Sequence, residues 1–226
     1  MSPIKSEFCE RLFETIVNHL LLNTLKCDIY VPSQIREAKS GLDALFHSGK
    51  KKPLMLQYKV VEQYIKSLSG FKKPSFHFDL HQDKNGHYTQ HNLLVNKTKR
   101  HNIAGYVVPG FVTYCALYKN YHENTLLDKT YLIMPKQRIG DKHPHSIQYD
   151  SDHGYQCSKE KYEVEICSLS EIKQKISNCT EVSKQDFIDT IASIMREEQC
   201  VCEWQEDLEK QVDMFLARNH IALLAL

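Results

Sequence analysis

Long apolar runs, a surplus of either charge and a disulfide framework are all missing from this 226-residue chain. No stretch approaches the roughly 18 consecutive apolar residues of a membrane helix. Residues 1–7 carry no apolar signal core, and the terminal run Ile221-Ala222-Leu223-Leu224-Ala225-Leu226 is too short to span. No membrane role is expected. Lys and Arg number 29 against 28 Asp and Glu, for a net charge of +1. That balance excludes a dedicated nucleic-acid coat protein, so any nucleic-acid contact must come from local patches. The eight cysteines, Cys9 to Cys202, follow no pairing pattern. Cys200-Val201-Cys202 lacks the two-residue gap of a redox pair and has no matching pair elsewhere. Free thiols in a reducing cytoplasm are expected. Repeats and low-complexity linkers are absent too. With 42% hydrophobic and 25% charged residues, the chain reads as one α/β domain over 1–226, with a helical C-terminal part over about 183–226.

Hydrophobic periodicity orders the elements. Residues 6–23 read as a helix, with Phe8, Leu12, Ile16 and Leu20 repeating every four residues beside Phe13, Val17 and Leu21. Glu10 and Glu14 lie one turn apart on a neighbouring face. Strands are expected over 27–31, 76–80, 104–108, 131–134 and 164–167. Residues 60–68 should run from strand into helix, 81–88 should form a hairpin turn, and 137–154 a long polar loop. Residues 111–121 fit helix and strand equally. Helices are expected over 89–101, from Ser168 with Glu171 as a capping box, and over 183–198 and 201–216.

The chemistry is concentrated in Gly41-Leu42-Asp43-Ala44-Leu45-Phe46 and Leu54-Met55-Leu56-Gln57-Tyr58-Lys59-Val60. The segment between them, His47-Ser48-Gly49-Lys50-Lys51-Lys52-Pro53, is a basic turn that joins two antiparallel strands. Alternation puts Leu54, Leu56 and Tyr58 on one face and Met55, Gln57 and Lys59 on the other. A glutamine and a lysine inside an apolar strand are costly to bury without partners. Asp43, at the head of the first strand, and a divalent cation would supply them. An acid and an amide hold a hard cation, and an ammonium orients the attacking water, which is the equipment of a metal-dependent phosphodiesterase.

This D…QxK pattern resembles the PD-(D/E)XK, or restriction-endonuclease-like, nuclease superfamily. The signature there is an acid, a hairpin, then an acid or glutamine, any residue, and lysine. Here those positions are Asp43, Gln57 and Lys59. The helix Phe13-Glu14-Thr15-Ile16-Val17-Asn18-His19-Leu20-Leu21 is similar to the one that supplies a further acid in the Mrr-type branch, with Glu14 at the matching position. The approach segment from Val31 to Asp43 resembles nuclease-like effectors of bacterial antiviral defence. Two positions depart from the pattern: Gln57 replaces the commoner acid, and Leu42 stands where a proline is usual. The resemblance implies a central mixed β-sheet flanked by helices. It further implies Mg²⁺ or Mn²⁺ bound by Asp43, Gln57 and the Tyr58 carbonyl, and catalysis by Asp43, Gln57, Lys59 and Glu14. Cleavage of DNA is expected, with RNA left open, under control of a partner protein or of homo-oligomerisation. Glu10 and Glu37 are alternatives to Glu14. The rival expectation is a degenerate nuclease-fold subunit that binds nucleic acid or protein.

Weaker signals surround this core. Lys50, Lys51 and Lys52 could track a phosphate backbone, as could an outward strip of Lys97, Lys99 and Arg100. His91 could contact phosphate or a partner. The histidines at 77, 81, 87, 91 and 101, and those at 143, 145 and 153, form two sequence groups, but no cysteine pair accompanies them and structural zinc is not expected.

Overall fold

The computed structural model describes residues 2–25, 27–30, 43–47, 54–66, 70–99 and 103–178, and among them eleven strands form one mixed sheet with four helices. In chain order these are β1 (Ile4–Lys5), α1 (Glu10–Leu25), β2 (Asp28–Tyr30), β3 (Ala44–His47), β4 (Leu54–Tyr58), β5 (Glu62–Gln63), β6 (Phe76–Asp79), α2 (Thr89–Lys99) and β7 (Ile103–Pro109). Then follow α3 (Tyr114–His122), β8 (Thr130–Met134), β9 (Ser146–Tyr149), β10 (Gly154–Cys157), β11 (Lys161–Ser168) and α4 (Leu169–Asn178). The strand order is β1-β5-β6-β9-β10-β11-β8-β7-β4-β3-β2. Every pairing is antiparallel except β4 with β7, whose connection carries α2.

The long strand β11 is a pivot. Its first half pairs with β10 and its second half with β8, so the sheet changes direction along a single strand. The β6–β9–β10 part folds back over β7 and β8. The Phe78 ring meets Tyr106 edge-on at 5.2 Å, and the Tyr149 hydroxyl donates to Pro109 O at 2.6 Å. One core, including Met55, Phe78, Tyr88, Tyr106 and Ile133, fills the space between these parts and α2. A second core lies on the opposite face, where Phe13, Val17 and Leu21 of α1 pack with Leu54, Leu56, Val107, Leu117 of α3 and Ile172 of α4. Gly105 lets β7 and β8 approach, because an added Cβ would sit 2.5 Å from Ile133 O.

Several elements differ from expectation. Residues 62–63 pair as β5 instead of entering a helix. The 81–88 turn joins the expected strand to the expected helix and closes no hairpin. Asp83 accepts the Asn85 and His87 N–H groups at 2.9 Å and the Thr89 hydroxyl at 2.7 Å, which anchors the first residue of α2. The expected 137–154 loop contains β9, announced by the alternating Ile147 and Tyr149, both fully buried. Its closing turn is held by the buried Asp150 carboxylate, which accepts from the N–H groups of Lys72, Asp152 and His153 at 2.6, 2.7 and 2.8 Å. The ambiguous 111–121 stretch contains α3, N-capped by the Thr113 hydroxyl accepting from the Ala116 N–H. Among the described residues, no helix is long and apolar enough to cross a membrane, and no cysteine is in a disulfide. The approach segment with Glu37, the turn with Lys50, Lys51 and Lys52, Arg100, His101, the 183–216 helices and Cys200–Cys202 lie outside the described residues.

Candidate active site

Register sets the site. Ala44 faces Leu56 and Leu45 faces Met55 across the β3–β4 pair, which brings Asp43 alongside the Leu56–Tyr58 end of β4. The Asp43 N–H bonds Leu56 O at 2.9 Å, and the Asp43 carboxylate accepts the Tyr58 N–H. Leu54, Leu56 and Tyr58 enter the core under α1, while Met55 enters the opposite one. Alternation puts Gln57 on the Met55 face, where it is 1% exposed. Its neighbour across the parallel pair is Tyr106.

Gln57 donates from Nε2 to Gln90 Oε1 at 3.3 Å, but its own Oε1 is buried without a hydrogen-bond partner among the described residues. Such an orphaned acceptor costs about 1–3 kcal/mol. The Asp43 carboxylate, at the head of β3, and this amide oxygen, on β4, are hard oxygen donors of the kind that suits a divalent cation such as Mg²⁺ or Mn²⁺. The donor set differs from a conventional cluster. Among the described residues, no three His, Cys, Asp or Glu side chains are placed to hold a metal ion.

Lys59 follows β4 and extends the pairing through its N–H to Val107 O at 3.0 Å. Its ammonium lies 3.5 Å from Glu10 Oε2, at the first residue of α1. The acid beside the lysine is therefore Glu10. Glu14, one turn further along, instead accepts from Asn18 Nδ2 at 3.5 Å, and Asn18 Oδ1 accepts the Tyr58 hydroxyl at 2.5 Å. Burial first, then the charges of Glu14 and Asp43, raise the Tyr58 hydroxyl well above its ordinary pKa. Burial and Asp43 likewise raise Tyr106.

His91 is a core histidine, not a surface phosphate contact. It is 1% exposed, and both ring nitrogens are engaged. The Gln137 carbonyl can only accept, so Nε2 carries the proton at 2.9 Å and Nδ1 accepts the Tyr106 hydroxyl at 2.9 Å. Burial lowers its pKa to about 4, which leaves the ring neutral at pH 7. Lys97 also departs from the expected outward strip, being 5% exposed. The two histidine groups meet where the Leu80 N–H bonds His145 O at 2.9 Å. A cleft of about 320 Å³ there is lined by His81, Tyr88 and His145, away from Asp43 and Gln57.

Sequence reasoning missed Gln90, Asn18 and Tyr106 as neighbours of the site. Gln90 was open to inference from α2, since it precedes His91 on the same helix. Comparison with protein-family models, curated proteins and solved structures found no match for this chain.

Proposed function

We propose that the chain is a metal-dependent endonuclease of the restriction-endonuclease-like superfamily, cleaving phosphodiester bonds in DNA. One observation carries the reading: Asp43 at the head of β3 and, on the paired strand β4, a Gln57 oxygen with no partner among the described residues, with a lysine two residues on held by an acid from the first helix. The hairpin, the mixed sheet and the acid-bearing first helix support the same assignment.

A bound Mg²⁺ or Mn²⁺ would supply Lewis acidity at the phosphate and a more acidic water. Asp43 and Gln57 would hold it, together with the Tyr58 carbonyl. The Lys59 ammonium, oriented by Glu10, positions the attacking water and offsets charge building on the phosphate. The acid from the first helix is then Glu10, acting through Lys59, where the resemblance implies Glu14. An unrestrained nuclease would damage its host, so the reading extends to an effector of bacterial antiviral defence governed by a partner protein or by self-association. This last step rests on the family resemblance.

A second reading, a degenerate subunit that binds without cutting, is favoured by burial. Asp43 is 6% and Gln57 1% exposed, and α2 covers the amide through Gln90. Incubation of purified protein with plasmid and Mn²⁺ separates the two. Cleavage by wild type that is lost in Asp43→Ala and Lys59→Ala is the expected result. Plasmid left equally intact by wild type and Lys59→Ala sinks the enzyme. Mn²⁺-dependent thermal stabilisation that disappears in Asp43→Ala would then identify the degenerate metal binder.

A further inference from the structure

The outer face of α3 is built unlike the rest of the surface. Tyr114 and Tyr118 stand one turn apart and are 41% and 48% exposed, the latter the highest value for a large hydrophobic side chain among the described residues. Their rings are nearly parallel, at 16° with centroids 6.2 Å apart. Exposed His122 continues the line at the next four-residue step, with exposed Lys119 beside Tyr118. The inner face contributes Leu117, which is fully buried. The arrangement is anchored from behind. Phe8 packs edge-on to Tyr114 at 6.2 Å, and the Glu7 carboxylate accepts the Tyr114 N–H at 2.8 Å.

Placement links this face to the candidate site. β4 and β7 are parallel, so Lys59 after one and the chain leading into α3 after the other emerge at the same C-terminal end of the paired strands. A run of ring contacts joins them: Tyr58 to Phe13 at 6.0 Å, Phe13 to Phe8 at 5.9 Å, and Phe8 to Tyr114.

We propose that Tyr114 and Tyr118 form a base-stacking platform for single-stranded nucleic acid, with Lys119 meeting its phosphates. Flat aromatic faces beside a cation suit unpaired bases, since every base offers a π-face and stacking needs no sequence. A protein partner is less well matched. The centre of such an interface is depleted of charge, whereas the tyrosines are flanked by the exposed charges of Lys119 and of Glu7, whose carboxylate accepts the Tyr114 N–H, and α3 has no exposed aliphatic side chain. The proposal rests on the nuclease reading only for what is done to the strand; the binding stands separately.

The test is fluorescence anisotropy of the full chain in EDTA, where cleavage cannot occur. The probes are a labelled oligothymidylate of about 20 nucleotides and a duplex of the same length, chosen to exceed a single binding footprint. Tyr114→Ala and Tyr118→Ala should each weaken single-strand binding roughly five- to 150-fold with little effect on duplex, and Tyr118→Phe should retain it. Lys119→Ala should reduce the slope of log affinity against log salt by about 0.7. Alanine variants that bind like wild type would overturn the proposal, as would wild type that ignores the single strand. A change of oligomeric state in Tyr118→Ala on sedimentation, with single-strand affinity unaltered, would assign the face to a second copy and overturn it too. Plasmid left intact while tyrosine-dependent binding persists would sink the nuclease reading alone.

Discussion

The two faces of β4 handle polarity in opposite ways. Under α1, the face of Leu54, Leu56 and Tyr58 carries one hydroxyl, and that hydroxyl is satisfied by Asn18, itself tied to Glu14. Under α2, Gln57 has its Nε2 bonded to Gln90 and its Oε1 without a partner among the described residues, beside a Tyr106–His91–Gln137 chain that leaves neither ring nitrogen unused. The first face is built to be stable. The second carries a buried acceptor with no partner among the described residues, and such a group calls for an explanation that the proposed metal would supply.

The sharpest way to break this contrast is activity. Asp43→Ala or Lys59→Ala should lower plasmid cleavage by about two to three orders of magnitude, as loss of one transition-state contact does, in a time-course nicking assay. On the stable face, Phe13→Ala should cost about 3–5 kcal/mol in urea unfolding, because the ring is fully buried against Tyr58 and Phe111.

Titration probes the α2 side. The His91 pKa is lowered to about 4 in the folded state from 6.5, so the unfolded chain binds more protons between these values. The stability this neutral ring contributes is fully present above pH 6.5 and is lost as pH falls towards 4, by about 3 kcal/mol in all. His91→Gln should flatten that part of the pH–stability curve; an unchanged slope would remove His91 from the account. Tyr58→Phe strands Asn18 Oδ1 and should cost about 1–3 kcal/mol in urea unfolding. The smallest effect should be the most telling. Gln57→Leu removes the stranded oxygen and should be neutral, or stabilising by up to about 1 kcal/mol, while ending cleavage. A loss of several kcal/mol there would mean that Gln57 is a structural residue.

Local pattern made part of this legible. Strand alternation placed Leu54, Leu56 and Tyr58 opposite Met55 and Gln57, and helical spacing identified the buried edge of α1, because both periodicities are properties of the backbone alone; Lys59, expected beside Gln57, lies past the end of β4 and its ammonium pairs with Glu10 of α1, the helix on the Tyr58 face. The turn around Asp83 and the strand and helix beside it were recognised, but its residues read as a hairpin turn, since an Asx-type turn can open a helix as readily as a hairpin. His91 was misjudged for a related reason: a polar residue on a weakly amphipathic helix gives no local sign of whether a tyrosine and a carbonyl await it inside.

By itself, then, the sequence determined the antiparallel pairing of β3 with β4 and the alternation of Leu54 to Gln57 between two faces, which depend on contacts between near neighbours along the chain. Tertiary structure alone decided that Lys59 pairs with Glu10 and not Glu14, that β6 folds over Tyr106, and that α3 leaves two tyrosines to solvent. Each of these turns on the rotation and docking of an element set by partners distant in sequence. One helical turn is enough to exchange one acid for another, and no local periodicity records that choice.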